Sequence, residues 1–336
     1  MSADTATDET TPATADPDSP EPATGTAKRP RRRRQLWLFL GPAVLLNLVW
    51  GWYPLITAFG LSLTDARLRG DVDFTGLESY LRMIRDPLVV QAFQVSIVFA
   101  VLSVVLTFVL PIFVAILLME MPRRLMRWMM LLWFLPLSSV GTAILWRYVY
   151  NTDYGLLQGI ATGLGLGPQP FLNSSDQVLF WLVLPGLILY GPGLIYLATL
   201  QSVPASYYEA AEIEGAGFWR KIWTISLPRL RPVILMMLMF AVIGNLQQFE
   251  WPKLMTDGGP GGASRTVVMY VYDILAQLRF ADATALSVLL FALIMIIVAV
   301  MRFAVPEDPD APPRRSLREV VTRTRRKDDH DREDDH

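Results

Sequence analysis

Cysteine does not occur among the 336 residues, and the two histidines, His330 and His336, both fall at the far C-terminal end. The first absence excludes a disulfide scaffold and a thiolate metal or redox site. Together the two absences remove the ordinary nucleophile–base pairs from the body of the chain. Lysine is scarce as well, at Lys28, Lys221, Lys253 and Lys327, and none is followed by Ser or Thr. A P-loop, whose lysine must precede Ser or Thr to serve phosphate and magnesium, is therefore missing. The formal net charge of −1 supplies no global field for nucleic acid. Any energy source has to lie outside this chain, and no cofactor site is expected within it.

Charge itself is missing from six long stretches: Gln35–Thr64, Pro87–Met119, Trp128–Trp146, Gln177–Tyr208, Pro232–Phe249 and Ala283–Met301, of 30, 33, 19, 32, 18 and 19 residues. A bilayer core about 30 Å thick needs about 20 apolar helical residues at ~1.5 Å rise each. All six stretches meet that length, which predicts an all-α integral membrane protein with six transmembrane helices, the first over 35–64. None of the six holds an ionisable side chain, whereas proton- and sodium-coupled carriers usually keep one at membrane depth. Broken helices with free carbonyls could still hold sodium, so a stand-alone secondary transporter stays as an alternative.

What is present outside these stretches sets the organisation. Residues 1–27 hold six carboxylates and no base among Thr, Ala and Pro, and are expected to be disordered. Lys28-Arg29-Pro30-Arg31-Arg32-Arg33-Arg34 follows, and reads as a cytoplasmic anchor closing a tail over 1–34. A nucleic-acid patch is the competing reading. Residues 65–89 form an extracytoplasmic segment, 90–302 a core with the other five spans, and 303–336 a second charged tail expected to be solvated. The stretch Tyr154–Ser175, dense in Gly and Pro, reads as a loop with one short helix. With the N-terminus inside, the inner segments carry 22 of the 30 basic residues and the outer ones eight. That bias puts both termini in the cytoplasm, with the chain in the plasma membrane.

The inner connector between the fourth and fifth spans, 204–228, is the most informative segment. Ser206 to Glu214 favours helix, Gly215 and Gly217 permit a sharp turn, and Phe218 to Thr224 can form a second short helix that Pro228 ends. Two short helices at a glycine corner make a compact knob, which by itself could simply be an interfacial hairpin. The segment resembles the EAA loop of ABC-importer inner-membrane permeases, E-A-A-x3-G-x9-I-x-L-P. Glu209, Ala210, Ala211, Gly215, Ile225, Leu227 and Pro228 fall on that pattern without a gap. The resemblance implies the type I ABC importer permease fold. It also implies that Glu209, Ala210, Ala211 and Gly215 seat the loop in a cleft of a separate ATP-hydrolysing subunit, where ATP and magnesium would be bound.

A second resemblance narrows the class. Leu254-Met255-Thr256-Asp257-Gly258-Gly259-Pro260, followed by Gly-Gly-Ala and Ser264, is similar to the L-T-x-G-G-P-x-x-x-T loop of carbohydrate-importer permeases, the maltose F-type and glycerol-phosphate A-type subunits. Here Met255 is inserted and Ser264 stands where Thr is usual. The implied partners are a second, related permease, an ATPase pair, an extracytoplasmic sugar-binding protein and a carbohydrate substrate. The chain itself would catalyse nothing covalent. A scaffold protein, or a permease for amino acids or peptides, are the other readings.

Asn245, Gln247, Gln248 and Phe249 close the fifth stretch, and Glu250 and Trp251 follow directly. At ~100° per residue, Asn245, Gln248 and Trp251 share one face of a continuous helix. Amides match sugar hydroxyls and indoles stack on sugar rings, so this face is a candidate substrate path. Helix–helix glue with an interfacial tryptophan explains the same residues equally well. Tyr190, Tyr196 and Trp146 are weaker candidates.

Overall fold

The computed structural model describes residues 40–66, 73–133, 139–189 and 193–304. Most of both charged tails lies outside the described residues, as does Tyr190. The chain divides into two compact units, Met1–Ile56 and Thr57–His336. In the first unit the described residues are helical and belong to α1, Leu40–Ser62, which contains a π turn at Leu48–Trp52. The helix stops at Ser62, short of the expected Thr64. There the Ser62 hydroxyl donates back to the Phe59 carbonyl at 2.7 Å, and Leu63 N–H turns onto Gly60.

The second unit begins with α2, Glu78–Arg85. Asp86 then caps α3, Pro87–Met119, its carboxylate accepting from Leu88 N–H at 2.9 Å with Pro87 at the first helical position. A bend at Phe108 divides α3 into Pro87–Thr107 and Val109–Met119. Pro111 lacks the N–H that would bond the Thr107 carbonyl, which accounts for the bend. There follow α4 (Arg123–Trp133), α5 (Ser139–Val149), α6 (Leu156–Gly163), a 3-10 turn at Phe171–Asn173, α7 (Val178–Val183), α8 (Gly186–Leu189) and α9 (Leu194–Gln201). The Gly- and Pro-rich stretch thus holds the one short α-helix expected of it. After them come α10 (Ala205–Ile213), α11 (Phe218–Leu246), α12 (Glu250–Thr256), α13 (Val267–Ala276) and α14 (Phe280–Ala304). No strand forms among the described residues beyond one isolated bridge between Thr64 and Phe74.

Four of the six expected spans are single long apolar helices: α1, α3, α11 and α14. The other two are described as more than one helix. In Trp128–Trp146 the described residues belong to α4 and α5, with 134–138 outside the described residues, and in Gln177–Tyr208 they fall among α7, α8, α9 and the start of α10. Pro185 interrupts the latter between α7 and α8, and Pro204 separates α9 from α10.

The expected stop at Pro228 is also corrected. The helix begun at Phe218 continues to Leu246, through a π turn at Ile222–Ser226 in which Leu227 N–H bonds the Ile222 carbonyl. The widened turn lets Pro228, which has no N–H to offer, enter without breaking the helix.

Three clusters hold the unit together. Val89, Ala92 and Ala100 of α3 pack with Leu246 of α11, Val267 and Ile274 of α13 and Leu286 of α14. Ile112, Ala115 and Leu118 of α3 pack with Leu197 and Leu200 of α9 and with Ile222 and Leu230 of α11. The third gathers Phe99, Tyr150, Phe171, Leu182 and Met255. Phe171 and Trp181 meet edge to face at 4.9 Å between centroids. Outside these clusters, Val101, Val105, Ile296 and Val300 turn outward, each more than half exposed. Rows of aliphatic side chains facing out from long helices suit lipid, not water.

A buried charge fixes α2 against α14. Asp282, only 6% exposed, receives Arg82 Nη2 at 2.9 Å and Nε at 3.2 Å on one oxygen, and Arg279 Nη2 at 2.7 Å and Nε at 2.9 Å on the other. A carboxylate flanked by two guanidinium forks keeps its hydrogen bonds when water is excluded.

Candidate functional site

The knob is built by local rules. Helix α10 ends at a Schellman turn, in which Ala216 N–H bonds the Ala211 carbonyl at 2.8 Å and Gly215 N–H bonds Glu212 at 2.9 Å. Gly215 sits there at φ +76°, a conformation that costs any residue with a Cβ. Gly217, at φ −68° and ψ 170°, then opens the next helix.

No residue of α10 is buried. Glu209 and Ala210 are exposed, Ala211 is half-buried, and Ile213 is 88% exposed. An isolated helix shorter than about 12 residues is marginal in water, so α10 depends on its end fixings. Lys221 Nζ reaches Glu212 at 2.9 Å and Glu120 at 3.8 Å, and Tyr208 Oη lies 3.2 Å from Ser226 Oγ. The seven motif residues therefore separate by place. Glu209, Ala210 and Ala211 stand on the free helix and Gly215 makes its corner. Ile225 belongs to the π turn, and Leu227 and Pro228 open the α-helical run after it. Sequence reasoning missed Lys221. Its only local sign is a lysine in a charge-poor chain, beside a motif rich in Glu.

The Gly-Gly-Pro segment lies beyond the other end of α11, some 43 Å away at ~1.5 Å rise over 29 residues. It is a tightly bonded knot. Asp257, Gly258, Gly261 and Gly262 take positive φ, and the Gly259–Pro260 peptide is cis. Ser264, fully buried, donates to the Gly259 carbonyl at 2.7 Å, and its oxygen lies 2.7 Å from Thr256 Oγ1. Lys253 pairs with Asp257 and lies 5.4 Å from the centre of the Tyr272 ring. The hydrogen bond it donates to the Asp257 carboxylate holds the Lys253 ammonium above the usual lysine range. Beside the knot opens a cleft of about 500 Å³, lined by Arg147, Asn151, Asn173, Lys253, Thr256 and Asp257, among others.

Asn245, Gln248 and Trp251 do not share a helix face. Helix α11 ends at Leu246, and Gln248 lies in the break before α12, which carries Trp251. The break is held from a distance, since Thr266 Oγ1 donates to the Gln248 carbonyl at 2.7 Å. Asn245 Nδ2 donates to the Ala241 carbonyl of its own helix at 2.8 Å. Trp251 Nε1 donates to the Leu182 carbonyl at 2.8 Å, which makes its indole a strut between α12 and α7. Among the described residues the Gln248 amide has no side-chain partner. Tyr196 is buried in a core cluster and Trp146 borders another.

Residues 112–305 match the model of the family described as binding-protein-dependent transport system inner membrane component. The chain is 32% identical to the sulfoquinovosyl glycerol transport system permease protein SmoG of Agrobacterium fabrum, over 78% of this chain and 87% of that protein. It is 30% identical to the trehalose/maltose transport system permease protein MalF of Thermococcus litoralis, over 80% and 93% respectively. Among solved structures, it superposes on a chain of the bacterial alginate ABC transporter in complex with alginate pentasaccharide-bound periplasmic protein. The TM-score is 0.72, at 21% identity over 81% of this chain and 94% of that one, a likeness of fold.

Proposed function

Because the chain belongs to the family of binding-protein-dependent transport system inner membrane components, we propose that it is the permease subunit of an ATP-driven carbohydrate importer. Permeases for sulfoquinovosyl glycerol and for trehalose and maltose stand among its relatives, which supports a saccharide as cargo. In this reading α4 with α5, and α7 through α9, each complete a crossing, so that six spans lie in the membrane. Both termini and the knob face the cytoplasm, in line with the 22-to-eight distribution of basic residues.

One observation carries the coupling role. Helix α10 holds the Glu209-Ala210-Ala211 motif yet buries none of its residues. A short helix left uncovered, with Ile213 turned outward, is a surface awaiting another protein. That protein is an ATPase subunit, two copies of which bind ATP and magnesium. A second, related permease completes the pore, and an extracytoplasmic binding protein delivers the sugar. ATP-driven closure of the ATPase pair displaces the knob, and the helices tilt between inward- and outward-facing states. Asn245 and Gln248 line the path of the cargo, with Trp251 holding α12 beside it. No covalent chemistry falls to this chain.

The test is reconstitution of the permease pair with its ATPase and binding protein in vesicles, followed by uptake of a labelled saccharide panel. Uptake that needs both ATP and the binding protein is expected. Uptake driven by an ion gradient without ATP would make the chain a secondary carrier instead. With Gln248→Ala, the loss of one neutral hydrogen bond of ~0.5–1.5 kcal/mol should weaken uptake two- to tenfold and alter which sugars compete. An unchanged sugar profile would return Gln248 to a packing role.

A further inference from the structure

Two carboxylates in this molecule sit where helices least favour them. Glu120 closes the C-terminal end of α3, and Glu212 lies in the last turn of α10. The exposed carbonyls there carry partial negative charge and repel an anion. Both carboxylates converge on one ammonium, that of Lys221, whose side chain is only 13% exposed. Lys221 lies in the first turn of α11, just before the π turn. It therefore joins three helix ends: the knob, the root of α11 and the free end of α3.

The two arms differ. The Glu212 arm is a hydrogen-bonded pair at 2.9 Å inside the knob. The Glu120 arm, at 3.8 Å, crosses from the knob to α3. Beyond Glu120 lies the Val109–Met119 half of α3, which packs through Ile112, Ala115 and Leu118 on α9 and α11 and meets the rest of α3 at the Phe108 bend. A helix bent at a missing hydrogen bond is the natural place for an arm to pivot.

We propose that Lys221 is a positioning residue that transmits displacement of the knob to α3, through Glu120. The inference rests on the reading of the knob as the ATPase contact. The 2.9 Å arm keeps Lys221 moving with α10, and the longer arm makes Glu120 follow, so that the Val109–Met119 half turns about Phe108.

The experiment uses the complete transporter in vesicles, reading sugar imported per ATP hydrolysed alongside recovery of the ATPase subunit with the permease. Glu120→Gln removes the α3 arm and leaves the knob pair intact. It should lower the import-to-hydrolysis ratio by about two- to fivefold, the range open to one half-exposed ion pair, while ATPase recovery stays unchanged. Lys221→Arg should preserve the ratio. The double reversal Lys221→Glu with Glu212→Lys restores the pair inside the knob but repels Glu120. It should stay uncoupled, and adding Glu120→Lys should recover coupling. A merely structural role for Lys221 predicts the opposite, full recovery in the double reversal and no effect of Glu120→Gln, and either outcome overturns the proposal. Failure of the ATPase subunit to associate with the unaltered permease would instead overturn the reading of the knob.

Discussion

Replacing Gly215 by alanine tests whether the knob is a folded unit shaped by its backbone. Gly215 holds φ +76°, and a Cβ built there meets no atom within 4 Å. Within this chain the substitution therefore brings no collision, only the cost of placing an L-residue in the left-handed region, about 1–2 kcal/mol. Since α10 buries nothing, that strain is relieved by opening of the corner, not by unfolding of the membrane core. A change of this size shifts the local equilibrium about 5- to 30-fold.

ATPase-subunit affinity, titrated against permease in lipid nanodiscs, should fall by that factor while the thermal midpoint of the membrane core holds. Gly215→Asn should recover most of the loss, because asparagine tolerates the left-handed conformation. Gly217→Ser should be neutral, since Gly217 has φ −68° and an open Cβ position and serine caps helices well. Wild-type affinity in Gly215→Ala would refute the strain argument. Equal losses in Gly215→Ala and Gly215→Asn would show that the partner's surface, and not the backbone, rejects a side chain.

Asp282→Asn leaves Arg82 and Arg279 facing one another without their carboxylate. It should destabilise the detergent-solubilised protein by about 2–4 kcal/mol, below the fully buried limit because both arginines are part-exposed. Glu78→Gln, whose pair with Arg82 is exposed, should cost under about 0.5 kcal/mol in the same thermal melt. Ser264→Ala should cost about 1–3 kcal/mol by stranding the Gly259 carbonyl, read as a lower melting temperature and faster proteolysis around residue 260. The Tyr270 phenol is pushed up to about 12, first by burial and then by its hydrogen bond to Asp86. Its contribution to stability should be complete below pH 10 and lost as pH rises from there toward 12, and Tyr270→Phe should remove that share of the alkaline loss. Reporter fusions active only outside the cytoplasm should be silent after Arg302 and active after Ser174, and the reverse pattern would invert the topology.

The parts of the fold legible in the sequence were those set by local composition. Uninterrupted runs such as Pro87–Thr107 and Ala283–Met301 had to be helices at membrane depth, and the corner at Gly215 follows from helix-ending chemistry within a few residues. What was hidden depended on partners far along the chain. The path residues fall off one helix because Thr266, 18 positions away, reaches the Gln248 carbonyl and helps hold the break. Trp251 turns into a strut because Leu182 offers a carbonyl 69 positions away. The Arg82–Asp282 pair spans 200 positions with no periodic signal to announce it. Pro228 misled in another way: proline commonly ends helices, and only a widened turn ahead of it makes an exception.

That widened turn at Ile222–Ser226 acts as a register adjuster. A π turn amounts to one residue inserted in an α-helix. The extra residue is taken up inside the widened turn, so the stretches on either side keep nearly the facing of an ordinary helix, whereas a residue added or removed in ordinary winding turns one side by ~100° relative to the other. The facing of Glu209 and Ala210 thus stays in step with the packing of Leu230 and Leu246 despite the extra residue. Removing one residue there would tighten the winding just ahead of Pro228, whose ring the wider turn admits, and would put a break at the joint between the knob and the long helix.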